Sequence, residues 1–241
     1  MKSILITGST SDTGIAVARA LVEHPVKLAL HYYSNQTKAD SLKNWLDEKN
    51  ISNKLFKTDL TQPSSAEMLI QEALNEFGSL DVLINVVGPF VYKNILEISP
   101  QEWQQDIHSN LSTCFNTSHY AIEALQKSHG HIINFAFSGV ENIKAWPMST
   151  SYCAAKTGVA VLTKSLATAL APFKVRVNAI CPGLVEEGQI SAEERQIMAG
   201  QIPSGRPVHP DEIGKTVKWL VFDSPEAMTG SLITVSCGWE Y

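Results

Sequence analysis

Tyr152 and Lys156 stand four residues apart in the run Ser151-Tyr152-Cys153-Ala154-Ala155-Lys156, whose composition reads as helix. At that spacing both side chains share one helix face, one turn apart. A tyrosine hydroxyl ordinarily titrates near ~10, too high to trade protons easily at neutral pH. A nearby ammonium favours the phenolate and pulls that value down. The pair is equipped to give and take a proton. On its own the spacing is common, because a surface lysine often covers a half-buried ring in an amphipathic helix.

A second chemical pattern lies near the start of the chain, in Thr7-Gly8-Ser9-Thr10-Ser11-Asp12-Thr13-Gly14. Gly8 permits a tight turn and close backbone approach, and Gly14 lets the next helix pack near the strand. The helix N-terminus then directs free N–H groups at an anion. Small hydroxyl residues such as Ser9, Ser11 and Thr13 add hydrogen bonds to phosphate. The spacing is not G-x-G-x-x-G, and no Gly-Lys-Ser/Thr follows as in a Walker loop.

Elements that position these groups follow from hydrophobic patterning. Continuous apolar runs at 4–6, 82–87 and 132–137 fit strands covered on both faces. Further strands are expected at 26–32, 54–57, 175–180 and 232–235. Helical patterns fall at 13–23, 38–49, 64–77, 149–170 and 211–222, with a long helical region at 99–127 that contains a possible break. Strand–helix alternation predicts an α/β, single-domain Rossmann fold with a doubly wound, seven-stranded parallel sheet and helices on both faces. The least regular segment is 184–207, which reads as a lid or a surface loop.

The 241 residues, 44% hydrophobic and 18% charged, suffice for one large domain. Net charge is −5 and no dense Lys/Arg block occurs, which argues against a nucleic-acid role. The chain runs directly into a strand, and no apolar stretch approaches ~20 residues, so a cytoplasmic protein off the membrane is expected. Cys114, Cys153, Cys181 and Cys237 are scattered without Cys-x-x-Cys pairing. His129 and His131 lack a third ligand nearby, so no metal site is expected.

Taken together, the motifs resemble the short-chain dehydrogenase/reductase family, with this chain an atypical member. The glycine-rich turn matches Thr7 to Gly14. The family's adenine-contacting acid matches Asp59, followed by Leu60, and its Asn-Asn-Ala-Gly matches Asn85-Val86-Val87-Gly88. Its Asn-Leu matches Asn110-Leu111, its Tyr-x-x-x-Lys matches Tyr152 and Lys156, and its Pro-Gly matches Pro182-Gly183. The segments 202–207 and 210–213 and the ending 233–239 resemble further family motifs. The resemblance implies a nicotinamide-dependent oxidoreductase in which Tyr152 protonates a carbonyl oxygen during reduction. Lys156 lowers the tyrosine pKa and holds the nicotinamide ribose, Asn110 holds a water linking Lys156 to solvent, and a serine orients the substrate.

Three departures qualify that reading. Asp12 replaces the middle glycine of the turn and is expected to point outward or cap the helix. Phe137 stands where many members carry the serine, leaving Ser138 one position later as the assignment, with Ser149 and Ser151 as alternatives. Glu187 stands where a carboxamide-binding threonine is usual, which transfers that work to backbone groups of Leu184 and Val185.

The second strand ends His31-Tyr32-Tyr33-Ser34-Asn35 without the acid that NAD-preferring members place there. Tyr33 occupies the position of an arginine found in NADP-preferring members. Ser34 and Asn35 can bond a 2′-phosphate, and Lys38 or a protonated His31 can add charge. NADP(H) is therefore favoured over NAD(H). The expected substrate is a small molecule of ketoacyl or pteridine type. The alternative is a catalytically impaired dinucleotide-binding sensor or assembly protein. The resemblance also implies a homotetramer or homodimer built on the long helices and the last strand.

Overall fold

The computed structural model describes residues 1–186 and 191–240. Its centre is a seven-stranded sheet in the order β3-β2-β1-β4-β5-β6-β7, with every pair parallel. The strands are β1 Lys2–Thr7, β2 Val26–Tyr32, β3 Ser52–Lys57, β4 Val82–Asn85, β5 His131–Phe135, β6 Arg176–Pro182 and β7 Leu232–Val235. The helices are α1 Asp12–Leu21, α2 Gln36–Glu48, α3 Pro63–Phe77, α4 Pro100–Ile107, α5 Thr113–Ser128, α6 Thr150–Leu170, α7 Ala192–Ala199 and α8 Pro210–Phe222.

The central strands are apolar throughout because both faces are covered. Ile4, Ile6, Leu28, Leu30, Val82, Ile84 and Ile133 join one core cluster with residues of α1, α2 and α8. The alternating residues Leu5, Ala29, Leu83 and Ile132 join a second cluster with α3, α5 and the C-terminal part of α6. At roughly 25 cal/mol per Å² of apolar surface, these two layers dominate the folding energy. On the first face Gly214 of α8 lets that helix close on α1, since a Cβ there would lie 2.7 Å from the Ala16 carbonyl oxygen.

The long helical region runs on without a gap from Pro100 to Ser128, and what interrupts its regularity is a change of helix type. A π-helical turn, His108–Ser112, separates α4 from α5. Such turns insert one extra residue into a helix and re-aim the side chains around it. The segment expected to be irregular contains α7, a short polar helix.

Strand order reverses direction between β1 and β4. In a doubly wound sheet, that reversal opens a crevice at the carboxyl ends of the strands. No helix among the described residues is long and apolar enough to cross a membrane. The described residues contain no group of three or more His, Cys, Asp or Glu side chains that could hold a metal ion.

Candidate active site

A crevice of about 1020 Å³ opens at this switch point, walled by segments that follow β1 to β6. Gly8 turns the chain with φ +67°, a conformation that a side chain strains. Ser11 caps α1, its hydroxyl accepting from the Gly14 N–H at 3.0 Å and donating to the Gly8 carbonyl at 2.9 Å. A Cβ on Gly14 would lie 2.3 Å from the Gly8 oxygen. The turn is therefore a cradle of bare backbone backed by a helix N-terminus, which suits a phosphate.

Asp12 neither caps the helix nor points away from the crevice. Its carboxylate forms an ion pair with the Lys38 ammonium at 2.6 Å, and both residues line the crevice. The cap belongs to Ser11 instead. Thr13 also lines the wall. Ser9 does not; its hydroxyl is fully buried and donates to the His31 carbonyl at 3.0 Å, so a phosphate contact through that side chain is corrected.

His31 cannot supply the positive charge considered above. Burial pulls its pKa down to about 4, with the carbonyl of Thr58 opposing. Its Nδ1 accepts from the Gly8 N–H at 3.2 Å, which leaves Nε2 to donate to the Thr58 carbonyl at 3.0 Å. A neutral ring in one tautomer thus braces the glycine turn against the end of β3. Tyr33 is 63% exposed and lines the crevice with Ser34 and Asn35. Asp59 and Leu60 also line the crevice, and the Asp59 carboxylate accepts from the Thr61 N–H and hydroxyl at 3.0 and 2.8 Å.

Below the turn the crevice reaches the buried lysine. Tyr152 and Lys156, in α6, both line the wall, with the lysine Nζ 5.9 Å from the tyrosine ring centre. Lys156 is buried and donates to the Phe135 carbonyl at 2.9 Å. Burial pulls its pKa down to about 8, so it remains largely cationic at neutral pH. Asn110 sits in the π-helical turn, donating from Nδ2 to the carbonyls of Pro89 and Asp106 at 3.1 and 3.2 Å. Its Oδ1 is buried without a partner. That atom and Lys156 Nζ converge on Gly88, since a Cβ added there would be 2.5 Å from each.

Asn85 is corrected as a direct cofactor contact. Its side chain is buried and committed to a network, donating to Ser118 and Asn134 and accepting from the Thr117 hydroxyl at 2.8 Å. Pro182, Gly183 and Val185 line the crevice, and Val185 is fixed by a parallel bridge to Val208. Glu187 lies outside the described residues.

Ser138 is corrected most clearly. Extended pairing continues past β5, with Ala136 and Ser138 donating to the carbonyls of Ile180 and Pro182 at 2.9 and 2.8 Å. A one-residue offset along such a segment changes where the side chain points. Phe137 lines the crevice, whereas the Ser138 hydroxyl is sealed without a hydrogen-bond partner. The alternatives Ser149 and Ser151 are both buried. The first lies 3.6 Å from the Cys153 sulfur, and the second donates to the Asp106 carboxylate.

Sequence reasoning missed several wall residues. Gln105, Ser109 and Thr113 line the crevice; their spacing of four was the available signal. Phe90 meets Tyr152 edge-on, ring centres 4.9 Å apart, and Phe137 meets Trp146 similarly at 5.5 Å. Trp239, in the quoted C-terminal motif, also lines the wall. The backbone cradle, the orphaned Asn110 oxygen and the buried ammonium fit an elongated nucleotide, which the α1 turn would hold by its phosphates and Tyr152 and Lys156 would meet at its reacting end. Such a site can position a carbonyl beside a proton donor with rings excluding water.

Comparison with known proteins agrees with this geometry. Residues 8–240 match the family described as enoyl-(acyl carrier protein) reductase. The chain is 32% identical to 3-oxoacyl-(acyl-carrier-protein) reductase FabG of Staphylococcus aureus, across 98% of this chain and 97% of that one. It is 27% identical to the putative oxidoreductase YtkK of Bacillus subtilis, across 99% and 96%. A dehydrogenase/reductase from Sinorhizobium meliloti superposes with a TM-score of 0.92 at 24% identity, covering 98% of this chain and 94% of the other, and speaks for the fold. The chain belongs to the short-chain dehydrogenase/reductase family, whose members are nicotinamide-dependent oxidoreductases acting on CH–OH and C=O groups.

Proposed function

We propose that this chain is an NADP(H)-dependent reductase of a small carbonyl compound of ketoacyl type or of a pteridine-type substrate. The observation that carries this reading is the meeting of Lys156 Nζ and the orphaned Asn110 oxygen at Gly88, with the Tyr152 ring 5.9 Å from that ammonium in the crevice wall. A bound reduced nicotinamide supplies hydride, and the protein supplies position and a proton. Tyr152 donates its proton to the substrate oxygen. Lys156 stabilises the phenolate left behind and holds a ribose hydroxyl. Asn110 Oδ1 accepts from a water that returns a proton toward Lys156.

Phe90, Phe137 and Trp239 make the reacting end apolar, which suits a hydrophobic or ring-shaped substrate. The absence of an acid at the end of β2 supports NADP(H). The chain acts as one domain. Four free cysteines accord with a reducing cytoplasmic setting. Phe115 on α5 and Val161 on α6 are 49% and 61% exposed, which accords with a homotetramer or homodimer. Light scattering at micromolar concentration tests this; a monomer rejects it.

The test of catalysis is NADPH oxidation with a panel of ketones, ketoacyl thioesters and dihydropteridines. Tyr152→Phe is expected to lower turnover by roughly 10²-fold or more, with little change in NADPH affinity. Unchanged turnover rejects Tyr152 as the acid. The sealed Ser138 hydroxyl favours a second reading, a dinucleotide-binding sensor or assembly protein. Firm NADPH binding without turnover on any substrate would select it.

A further inference from the structure

The adenosine end of the crevice carries an unusual charge arrangement. Asp12 opens α1, and Lys38 lies in the first turn of α2. The Lys38 backbone is fixed by Asn35, whose side chain accepts its N–H at 3.0 Å. From there the lysine side chain crosses to α1 and meets the Asp12 carboxylate at 2.6 Å. The two side chains are 43% and 34% exposed, so neither is locked inside the protein.

Lys38 and Lys156 are the two Lys or Arg side chains in the crevice wall among the described residues, and Lys156 belongs to the reacting end. His31 is neutral and spent on Gly8 and Thr58. The carboxylates of this end are Asp12 and Asp59, and Asp59 is engaged by Thr61. Among the described residues Lys38 is thus the one lysine or arginine at this end, and the Asp12 carboxylate already holds it. A phosphate on the adenosine ribose would have to take Lys38 from Asp12, whereas a ribose with a free 2′-hydroxyl would not.

We propose that Asp12 is a selectivity residue: its carboxylate competes with the 2′-phosphate of NADP(H) for the Lys38 ammonium and so narrows the preference for NADP(H) over NAD(H). This rests on the nucleotide-binding part of the function proposed above. Exposed ion pairs are weak and exchange readily, so the competition is won by the phosphate at a reduced margin. Asp12 acts on affinity alone, because it lies at the opposite end of the crevice from Tyr152.

The test is calorimetric binding of 2′,5′-ADP and 5′-ADP, which lack the nicotinamide, to the native protein, Asp12→Asn, Lys38→Met and the double variant. Asp12→Asn is expected to tighten 2′,5′-ADP about three- to fivefold while moving 5′-ADP less than twofold. Lys38→Met is expected to weaken 2′,5′-ADP about tenfold. In the Lys38→Met background, Asp12→Asn is expected to recover less than half of its gain, because the contested ammonium is gone. An unchanged affinity ratio in Asp12→Asn, or a shift toward 5′-ADP, overturns the proposal and leaves the reductase reading standing. Failure of the native protein to bind either NADPH or NADH overturns both. Circular dichroism of each variant separates lost binding from lost folding.

Discussion

The hydroxyl of Ser151 donates to the carboxylate of Asp106, tying the first turn of α6 to α4. Through its backbone carbonyl the same Asp106 receives the Asn110 side chain at 3.2 Å. One residue thereby braces the π-helical turn that carries Asn110 and the turn that carries Tyr152. Burial pushes the Asp106 carboxyl up, and the Ser151 hydroxyl opposes that shift. Removing the hydroxyl leaves a buried acceptor unmatched. Ser151→Ala is expected to cost about 2 kcal/mol in urea unfolding and to lower kcat more than it changes NADPH affinity. Native stability in this variant would show that the bond does not hold the two helices.

Gly88→Ala tests the packing around the buried ammonium. The added methyl would meet Lys156 Nζ and Asn110 Oδ1 at 2.5 Å, and both are ends of side chains that can move. Gly88 also has φ +156°, which strains any side chain, so the variant is expected to lose some stability in urea unfolding while its turnover falls at least tenfold more than its nucleotide affinity. Full turnover would show that the two atoms need not converge on Gly88.

The pH dependence of reduction follows from Lys156. With its pKa pulled down to about 8 by burial, the ammonium is present below that value and lost above it. The rate of NADPH oxidation at low substrate is expected to fall as pH rises through about 8. Lys156→Arg, which stays charged, is expected to remove that limb from whatever activity it retains. The same limb in Lys156→Arg assigns it elsewhere.

Two buried histidines predict acid sensitivity of the fold. Unfolded, each takes up a proton near 6.5. Folded, His31 does so at about 4 and His131 at about 3, in both cases because burial disfavours the cation. Between those values the unfolded chain holds more protons, so stability is present above 6.5 and is lost as pH falls. Each histidine is expected to remove about 2 kcal/mol between pH 7 and pH 5. Urea midpoints at the two pH values measure the loss, and His31→Gln should recover about half of it. An identical slope in the variant would rule His31 out.

The sheet was legible because its strands are buried on both faces and therefore read as apolar runs. β3 was legible only in part. Its first residues, Ser52 and Asn53, are polar and partly exposed at the sheet edge, so no run marks where it begins. α7 went unread because Ile197 and Met198 stand side by side in a polar stretch, with no large apolar residue recurring at helical spacing. Within the site, residues fixed by backbone geometry were readable, as at Gly8, Gly14 and Gly88. Side chains whose direction depends on one residue of register were not, and Ser138 is the example. Nor does a sequence say which of Ser11 and Asp12 caps a helix, because both types do so equally well.

The bare contact between Gly214 and Ala16 has a consequence for how the molecule is made. Along the chain the glycine turn is made long before α8, the helix that packs on α1 behind it. A nascent chain therefore presents a phosphate cradle with no buttress behind it. Nucleotide can rescue the finished protein from unfolding, but it has little to grip in a chain cut short before α8.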